Sequence, residues 1–85
     1  MTEKRVFTRD WLIYARKKKH ISQQQMAKML FMVDNTYRFY EKSLDRAPTK
    51  ITLEIACRLA EILGLTLDQI AYLELGIEMK AQGNG

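Results

Sequence analysis

Residues 21–42 read ISQQQMAKMLFMVDNTYRFYEK and fit two short amphipathic helices. Ser22 followed three residues later by Gln25 is a capping box, which predicts that the first helix covers residues 23–30. The second is predicted over 34–42, with Tyr37 and Tyr40 facing inward. Only three residues join them. So short a joint forces the two helices to cross steeply, which is helix-turn-helix geometry.

Three further helices are predicted around this pair, over residues 9–19, 53–63 and 67–75. Their predicted caps are Thr8, Thr52 and a second capping box formed by Thr66 and Gln69. Gly64 and Gly76 follow the last two helices as predicted ends. No alternating run is long enough for a strand. The expected fold is therefore all-α, a compact five-helix domain.

The inner helix positions and the domain limits follow from the same pattern. We expect the following residues to face the core in the three flanking helices: Trp11, Leu12, Tyr14, Ala15, Leu53, Ala56, Leu59, Ala60, Leu63, Leu67, Ile70 and Ala71. The predicted organisation is an N-terminal arm over 1–8, a helix-turn-helix domain over 9–75 and a flexible tail over 76–85.

The composition excludes several classes of function. The chain has 85 residues, which suits one domain. One cysteine and one histidine exclude an internal disulfide and a four-ligand zinc site. No Gly-rich phosphate loop, membrane-length apolar run, secretory signal or catalytic constellation is evident. We expect a cytoplasmic binding domain that is not an enzyme and has no cofactor, metal, membrane contact or small-molecule ligand.

The charge is distributed unevenly along the chain. Residues 1–50 carry 12 Lys/Arg and 5 Asp/Glu, a net charge of +7, whereas residues 51–85 carry 2 and 5, a net charge of −3. This polarity favours a protein whose first half meets a polyanion. An ordinary solvated surface rich in lysine is the alternative.

Residues 21–42, together with LEIACRLAEILGLTLDQI at 53–70, resemble the phage-repressor or Xre-type helix-turn-helix family, which is lambda-repressor-like. The matching positions are Ser22-Gln23, Ala27, Leu30, Thr36-Tyr37, Glu41, Leu59-Ala60, Leu63-Gly64, Leu67-Asp68 and Ile70. The resemblance implies double-stranded DNA as partner, with the helix over 34–42 in the major groove and the helix over 23–30 across the backbone. It also implies that Gln23 contacts phosphate and that Arg16 bridges Glu41 as a structural ion pair; two independent surface charges are the alternative to that pair.

The sequence departs from the family pattern at three places. Phe31 stands where the family has a turn glycine, so a positive φ there would cost about 1–2 kcal/mol. Val33 replaces a small capping residue, so Asp34 is predicted to take the cap. The loop from Glu41 to Pro48 is one residue longer than is typical of the family and lacks its glycine.

The outward face of the helix predicted over 34–42 carries the candidates for reading DNA. Asn35 can pair with adenine, Arg38 with guanine, and Phe39 can pack on a thymine methyl group. An ordinary solvated helix face is the alternative, although Phe39 fits it poorly. The candidate phosphate contacts are Lys4, Arg5, Arg9, Lys17, Lys18, Lys19, Gln23, Gln24, Lys42, Arg46 and Lys50.

These observations predict a sequence-specific transcriptional regulator, a repressor of bacterial or phage origin. The alternative is a protein-interaction module, antitoxin-like or antirepressor-like, with a degenerate DNA face. Because one recognition helix reads few base pairs, a homodimer is expected. Its predicted interface uses the apolar residues Ile62, Tyr72, Leu73, Leu75 and Ile77; alternatively, these residues only seal the monomer core.

Overall fold

The computed structural model describes residues 5–82, with side chains described for residues 5–76. This part of the chain forms five α-helices and two short strands. In chain order the elements are β1 Val6–Thr8, α1 Asp10–Lys18, α2 Gln23–Met29, α3 Asp34–Glu41, β2 Lys42–Leu44, α4 Leu53–Leu63 and α5 Leu67–Gln82. The predicted all-α class with five helices is confirmed, and α1 to α4 begin and end within one residue of the predicted bounds.

The capping predictions are confirmed at three helices. Ser22 Oγ accepts from the Gln25 amide at 3.0 Å, and Gln25 Oε1 accepts from the Ser22 amide at 2.9 Å. Thr66 and Gln69 make the same reciprocal pair at 3.0 and 2.8 Å. Thr52 Oγ1 accepts from the amide of residue 55 at the start of α4. Local side-chain chemistry therefore fixes where α2, α4 and α5 begin.

Two other predicted caps are wrong. The N-cap position of α1 is Arg9, with no side-chain hydrogen bond, and Thr8 Oγ1 instead donates to Asp10 Oδ1 at 2.6 Å. The N-cap of α3 is Val33, also without a side-chain bond, and Asp34 is the first residue of the helix. Asp34 still lies in the first turn, where its negative charge suits the helix dipole.

The two glycines predicted to end helices behave differently. Gly64 adopts the left-handed conformation with φ 70° and ends α4, as predicted. The end predicted at Gly76 is wrong, because α5 continues to Gln82. Gly76 has no left-handed φ, and a glycine inside a helix costs only about 1 kcal/mol. Residues 83–85 of the predicted tail lie outside the described residues.

The expectation that the chain has no strand is also wrong. β1 and β2 pair antiparallel, with Val6 opposite Leu44 and Thr8 opposite Lys42. Asp45 closes the end of this ribbon through two bonds with the backbone of Arg5, at 2.7 and 3.1 Å. The ribbon joins the segment before α1 to the segment that follows α3.

One apolar core connects the five helices. Its buried hydrophobic residues are Leu12, Met26, Ala27, Leu30, Tyr37, Tyr40, Leu59, Leu63 and Ile70. Three residues predicted to face the core are exposed instead: Tyr14 by 68%, Leu53 by 74% and Leu67 by 43%. Ala71 is exposed as well. These residues lie at the margins of their apolar stripes, where the helical period does not decide the direction of a side chain.

Among the described residues, no helix has the length and apolar character that crossing a membrane requires.

Candidate nucleic-acid interface

The outer face of α3 lies in an open groove beside the start of α2 and the strand β2. The buried residues of α3, Tyr37, Tyr40 and Glu41, turn its other face toward the core. The groove is lined by Gln23, Asn35, Arg38, Phe39, Lys42, Ser43 and Leu44. The structure thus brings all three predicted base-reading residues together with two predicted phosphate contacts.

Amide, guanidinium and aromatic groups are all exposed on the groove side of α3. Asn35 and Arg38 are exposed, and Phe39 is 53% exposed. The Phe39 carbonyl accepts from the Thr49 amide at 3.1 Å, so the loop after β2 folds back onto α3. The groove therefore presents donors and an apolar ring from one rigid helix.

Glu41, at the end of α3, is the centre of a buried polar network. Its carboxylate accepts from Arg16 Nε at 2.6 Å, from Arg16 Nη2 at 3.4 Å and from Gln23 Nε2 at 2.9 Å. The Tyr37 hydroxyl donates to the same carboxylate. Arg16 Nη1 also donates to the carbonyl of Ile21 at 2.8 Å. Arg16 and Glu41 therefore form a buried ion pair that ties α1 to α3.

This network shifts the pKa values of its members. Burial alone would raise the pKa of Glu41, but hydrogen bonds from Arg16, Tyr37 and Gln23 together lower it below 4.5. Burial and the bond to Glu41 raise the pKa of Tyr37. Burial opposes the charge of Arg16, yet Glu41 raises its pKa overall. The fold thus favours a charged Arg16–Glu41 pair beside a neutral tyrosine.

We expect the free energy of unfolding to fall as the pH drops below about 4.5. The pKa of Glu41 is lower in the folded chain, so the unfolded chain binds the proton first and gains stability relative to the fold. Urea unfolding of the native chain and of Glu41→Gln between pH 7 and pH 3 measures the effect. The variant should lose less stability on acidification than the native chain, and equal losses would contradict the assignment.

Gln23, at the start of α2, lies between the buried network around Glu41 and the groove along α3. Its amide nitrogen donates to Glu41, and its side chain also lines the groove along α3. A primary amide carries two N–H donors, so one is free to meet a second acceptor in the groove. Gln23 therefore links the buried network to the exposed face.

The other predicted phosphate contacts are placed in different parts of the molecule. Arg5, Gln24, Lys42 and Arg46 are exposed. Lys19 Nζ lies beside Gly64, 3.6 Å from the position that a Cβ on this glycine would take. Lys50 lines a separate groove between α4 and α5. Lys4 lies outside the described residues.

The assignment of Arg9 to phosphate is wrong. Arg9 is only 2% exposed, and its guanidinium bonds Glu74 on α5. A buried guanidinium held by a carboxylate cannot meet DNA. Ser43 and Leu44 also line the groove and were not predicted from the sequence. A strand of three residues is too short for its sequence to indicate which segment it pairs with.

The turn between α2 and α3 keeps the left-handed backbone despite its side chain. Phe31 has φ 58°, and its ring is 80% exposed. The Arg58 guanidinium carbon lies 4.6 Å from the centre of this ring. The strain expected for phenylalanine in place of glycine, about 1–2 kcal/mol, is thus present, and a cation–π contact offsets part of it.

Two short helices joined by the four residues 30–33, with one exposed polar face, define a helix-turn-helix domain. Residues 12–70 match the family model described as helix-turn-helix. The chain therefore belongs to the Xre or lambda-repressor type of that family, a family of DNA-binding regulators. Neither curated proteins nor solved structures gave a significant match.

Proposed function

We propose that this protein is a cytoplasmic transcriptional repressor that reads the major groove of duplex DNA with α3. The observation that carries the proposal is the groove that Asn35, Arg38 and Phe39 line together with Gln23 and Lys42. Base edges are read by side chains that project from one helix face, and phosphates are held by donors at its margins. Repression is supported by the resemblance to phage repressors.

Each of the three proposed base-reading residues, Asn35, Arg38 and Phe39, has a side chain that suits a particular base. An asparagine amide pairs bidentately with adenine, and an arginine guanidinium pairs bidentately with guanine. An aromatic ring such as that of Phe39 packs against the thymine methyl group. Gln23 and Lys42 are assigned to phosphates, because amide and ammonium donors bind phosphate oxygens without reading sequence.

We expect Asn35→Ala and Arg38→Ala each to cost roughly 1–3 kcal/mol on the preferred site and to relax selectivity at one base position. Both side chains are exposed, so the thermal midpoint should barely move. The measurement is binding to duplexes selected by the native chain from a random pool, and to single-base variants of them. Glu61→Ala, at an exposed position on α4 that is assigned no DNA contact, is a matched control for loss of an exposed polar group. An equal loss on every DNA sequence would make these residues phosphate contacts instead.

We further propose that two copies assemble through α5 and bind a two-fold-symmetric site. Tyr72 is 79% exposed and Leu75 is 55% exposed, and Leu75 lines the groove between α4 and α5 together with the exposed Leu53. Leu73 is half-buried, and Ile62 packs against the core. The interface is therefore assigned to the exposed residues of this groove and of α5, without Ile62. The side chain of Ile77 lies outside the described residues.

Leu75→Asp is expected to abolish assembly, because a self-complementary interface repeats the charge on both copies. Leu75 is 55% exposed in the single chain, so the variant should stay folded. Sedimentation across micromolar concentrations measures assembly, with and without the selected duplex. Tyr14→Asp, which changes an aromatic 68% exposed on α1, is the control and should assemble like the native chain. If Leu75→Asp assembles and binds as the native chain does, this interface is wrong.

One observation favours a protein-interaction module as a second candidate function. Phe31 is held exposed at a strained backbone position, and Val33 beside it is 68% exposed. An exposed apolar turn is typical of a surface that meets another protein. This candidate predicts that the chain does not bind duplex DNA, so the salt titration described in the Discussion separates the two functions.

A further inference from the structure

Arg9 lies between β1 and α1 and is buried. Its guanidinium is held by the carboxylate of Glu74 on α5. Its Nε lies 2.6 Å from Glu74 Oε2, and its Nη2 lies 3.0 Å from Glu74 Oε1. The pair is therefore bidentate, which fixes the plane of the guanidinium as well as its distance. Trp11 Nε1 donates to the same Glu74 Oε2 at 2.8 Å, so the carboxylate is fixed from two sides.

The same arginine holds the last turn of α3. Its Nη1 donates to the Tyr40 carbonyl, and its backbone amide donates to the Glu41 carbonyl at 2.7 Å. The last carbonyls of a helix have no partner within the helix and carry negative partial charge. Arg9 thus supplies both the donors and the positive charge that the end of α3 lacks.

These contacts continue to the groove along α3. The exposed face of α3 in this groove is the proposed recognition face. Glu41, whose backbone is held by Arg9, anchors Gln23 through its carboxylate. Lys42, the next residue, lines the same groove. At the opposite end, Glu74 lines the groove between α4 and α5. Contacts therefore run from Glu74 on α5 through Arg9 and Glu41 to Gln23, which lines the groove along α3.

We propose that Arg9 is a positioning residue for DNA reading: held by Glu74, it fixes the C-terminal end of α3 against α5 and so sets the position of the recognition face. Arg9 does not itself touch DNA, because it is 2% exposed. The inference rests on the proposed function. It adds that the orientation of α3 depends on α5 through one ion pair.

Arg9→Lys and Glu74→Gln test this inference in the full chain. Lysine keeps the charge but lacks the planar fork, and glutamine keeps the shape but loses the charge. Affinity is measured for a duplex that the native chain selects from a random pool and for random-sequence duplex. All binding is measured at a temperature where circular dichroism shows each variant folded. Glu54→Gln is the matched control for Glu74→Gln, because the Glu54 side chain is 73% exposed and its ion pair with Arg58 lies within α4.

We expect roughly tenfold weaker binding of Arg9→Lys and Glu74→Gln to the selected duplex, little change on random duplex, and an unchanged salt dependence. Glu54→Gln should bind as the native chain does. If Arg9→Lys does not fold, Glu74→Gln decides the outcome. Native affinity for the selected duplex in the folded variants would overturn the inference, and so would a uniform loss on all sequences with a shallower salt dependence. If the native chain itself binds no DNA, the proposed function fails instead.

Discussion

Replacing Glu41 with alanine is expected to lower the free energy of unfolding by about 3–5 kcal/mol. The carboxylate accepts from Arg16, Gln23 and Tyr37, and it is only 2% exposed. Its removal leaves a buried guanidinium without its counter-charge and two donors without an acceptor. Urea unfolding at pH 7 measures the loss.

Glu54→Ala is the matched control for this prediction. Glu54 also pairs with an arginine, Arg58, at 2.8 Å, but its side chain is 73% exposed and the pair spans one turn of α4. Exposed pairs at this spacing contribute only about 0.3–0.5 kcal/mol. If both variants lose the same small amount, the buried network around Glu41 does not stabilise the fold.

Features of the fold that depend on neighbouring residues could be predicted from the sequence. The capping boxes at Ser22 and Thr66 bring donor and acceptor together within one turn, so their spacing alone specifies them. Gly64 ends α4 for the same local reason, because glycine adopts the left-handed conformation without strain. The α2–α3 joint was predictable because its length limits the crossing of the two helices.

Features that depend on distant residues could not be predicted in this way. The burial of Arg9 depends on Glu74, which is 65 positions away in the sequence. The β1–β2 ribbon pairs three residues with three, too few for alternation to be visible. Nothing in the local sequence therefore distinguishes the buried Arg9 from the exposed Arg5, and only packing separates them.

The outward face of α3 could be predicted from the sequence, whereas the segment that lies beside it could not. Asn35, Arg38 and Phe39 follow from the period of α3 once Tyr37 and Tyr40 are taken as its inner positions. Their neighbours Ser43 and Leu44 come from β2, which only the ribbon places beside α3. That Asn35, Arg38 and Phe39 contact bases, and which bases they recognise, stays a prediction.

The dependence of DNA affinity on salt has the second large expected effect. If one protomer neutralises about four to six phosphates, the logarithm of the association constant should fall with the logarithm of the salt concentration at a slope of about −4 to −5. Affinity then falls by two to three orders of magnitude between roughly 50 and 200 mM salt. The basic first half of the chain, with its net charge of +7, supplies the charge.

Two variants locate this effect on the surface. Lys42 lines the groove along α3, whereas Lys50 lines the groove between α4 and α5. Removing one phosphate contact reduces the slope by about one, so Lys42→Gln should show this reduction. Lys50 does not line the groove along α3, so we no longer expect it to contact phosphate, and Lys50→Gln should keep the native slope. The reverse result would place DNA at the groove between α4 and α5.

The most direct test of the account is the titration of the native chain with random-sequence duplex DNA from low to moderate salt, followed by fluorescence anisotropy of labelled DNA. We predict tight binding at low salt and a slope of about −4 to −5 per protomer. A slope near zero, or no binding at low salt, would contradict the claim that the α3 face binds duplex DNA.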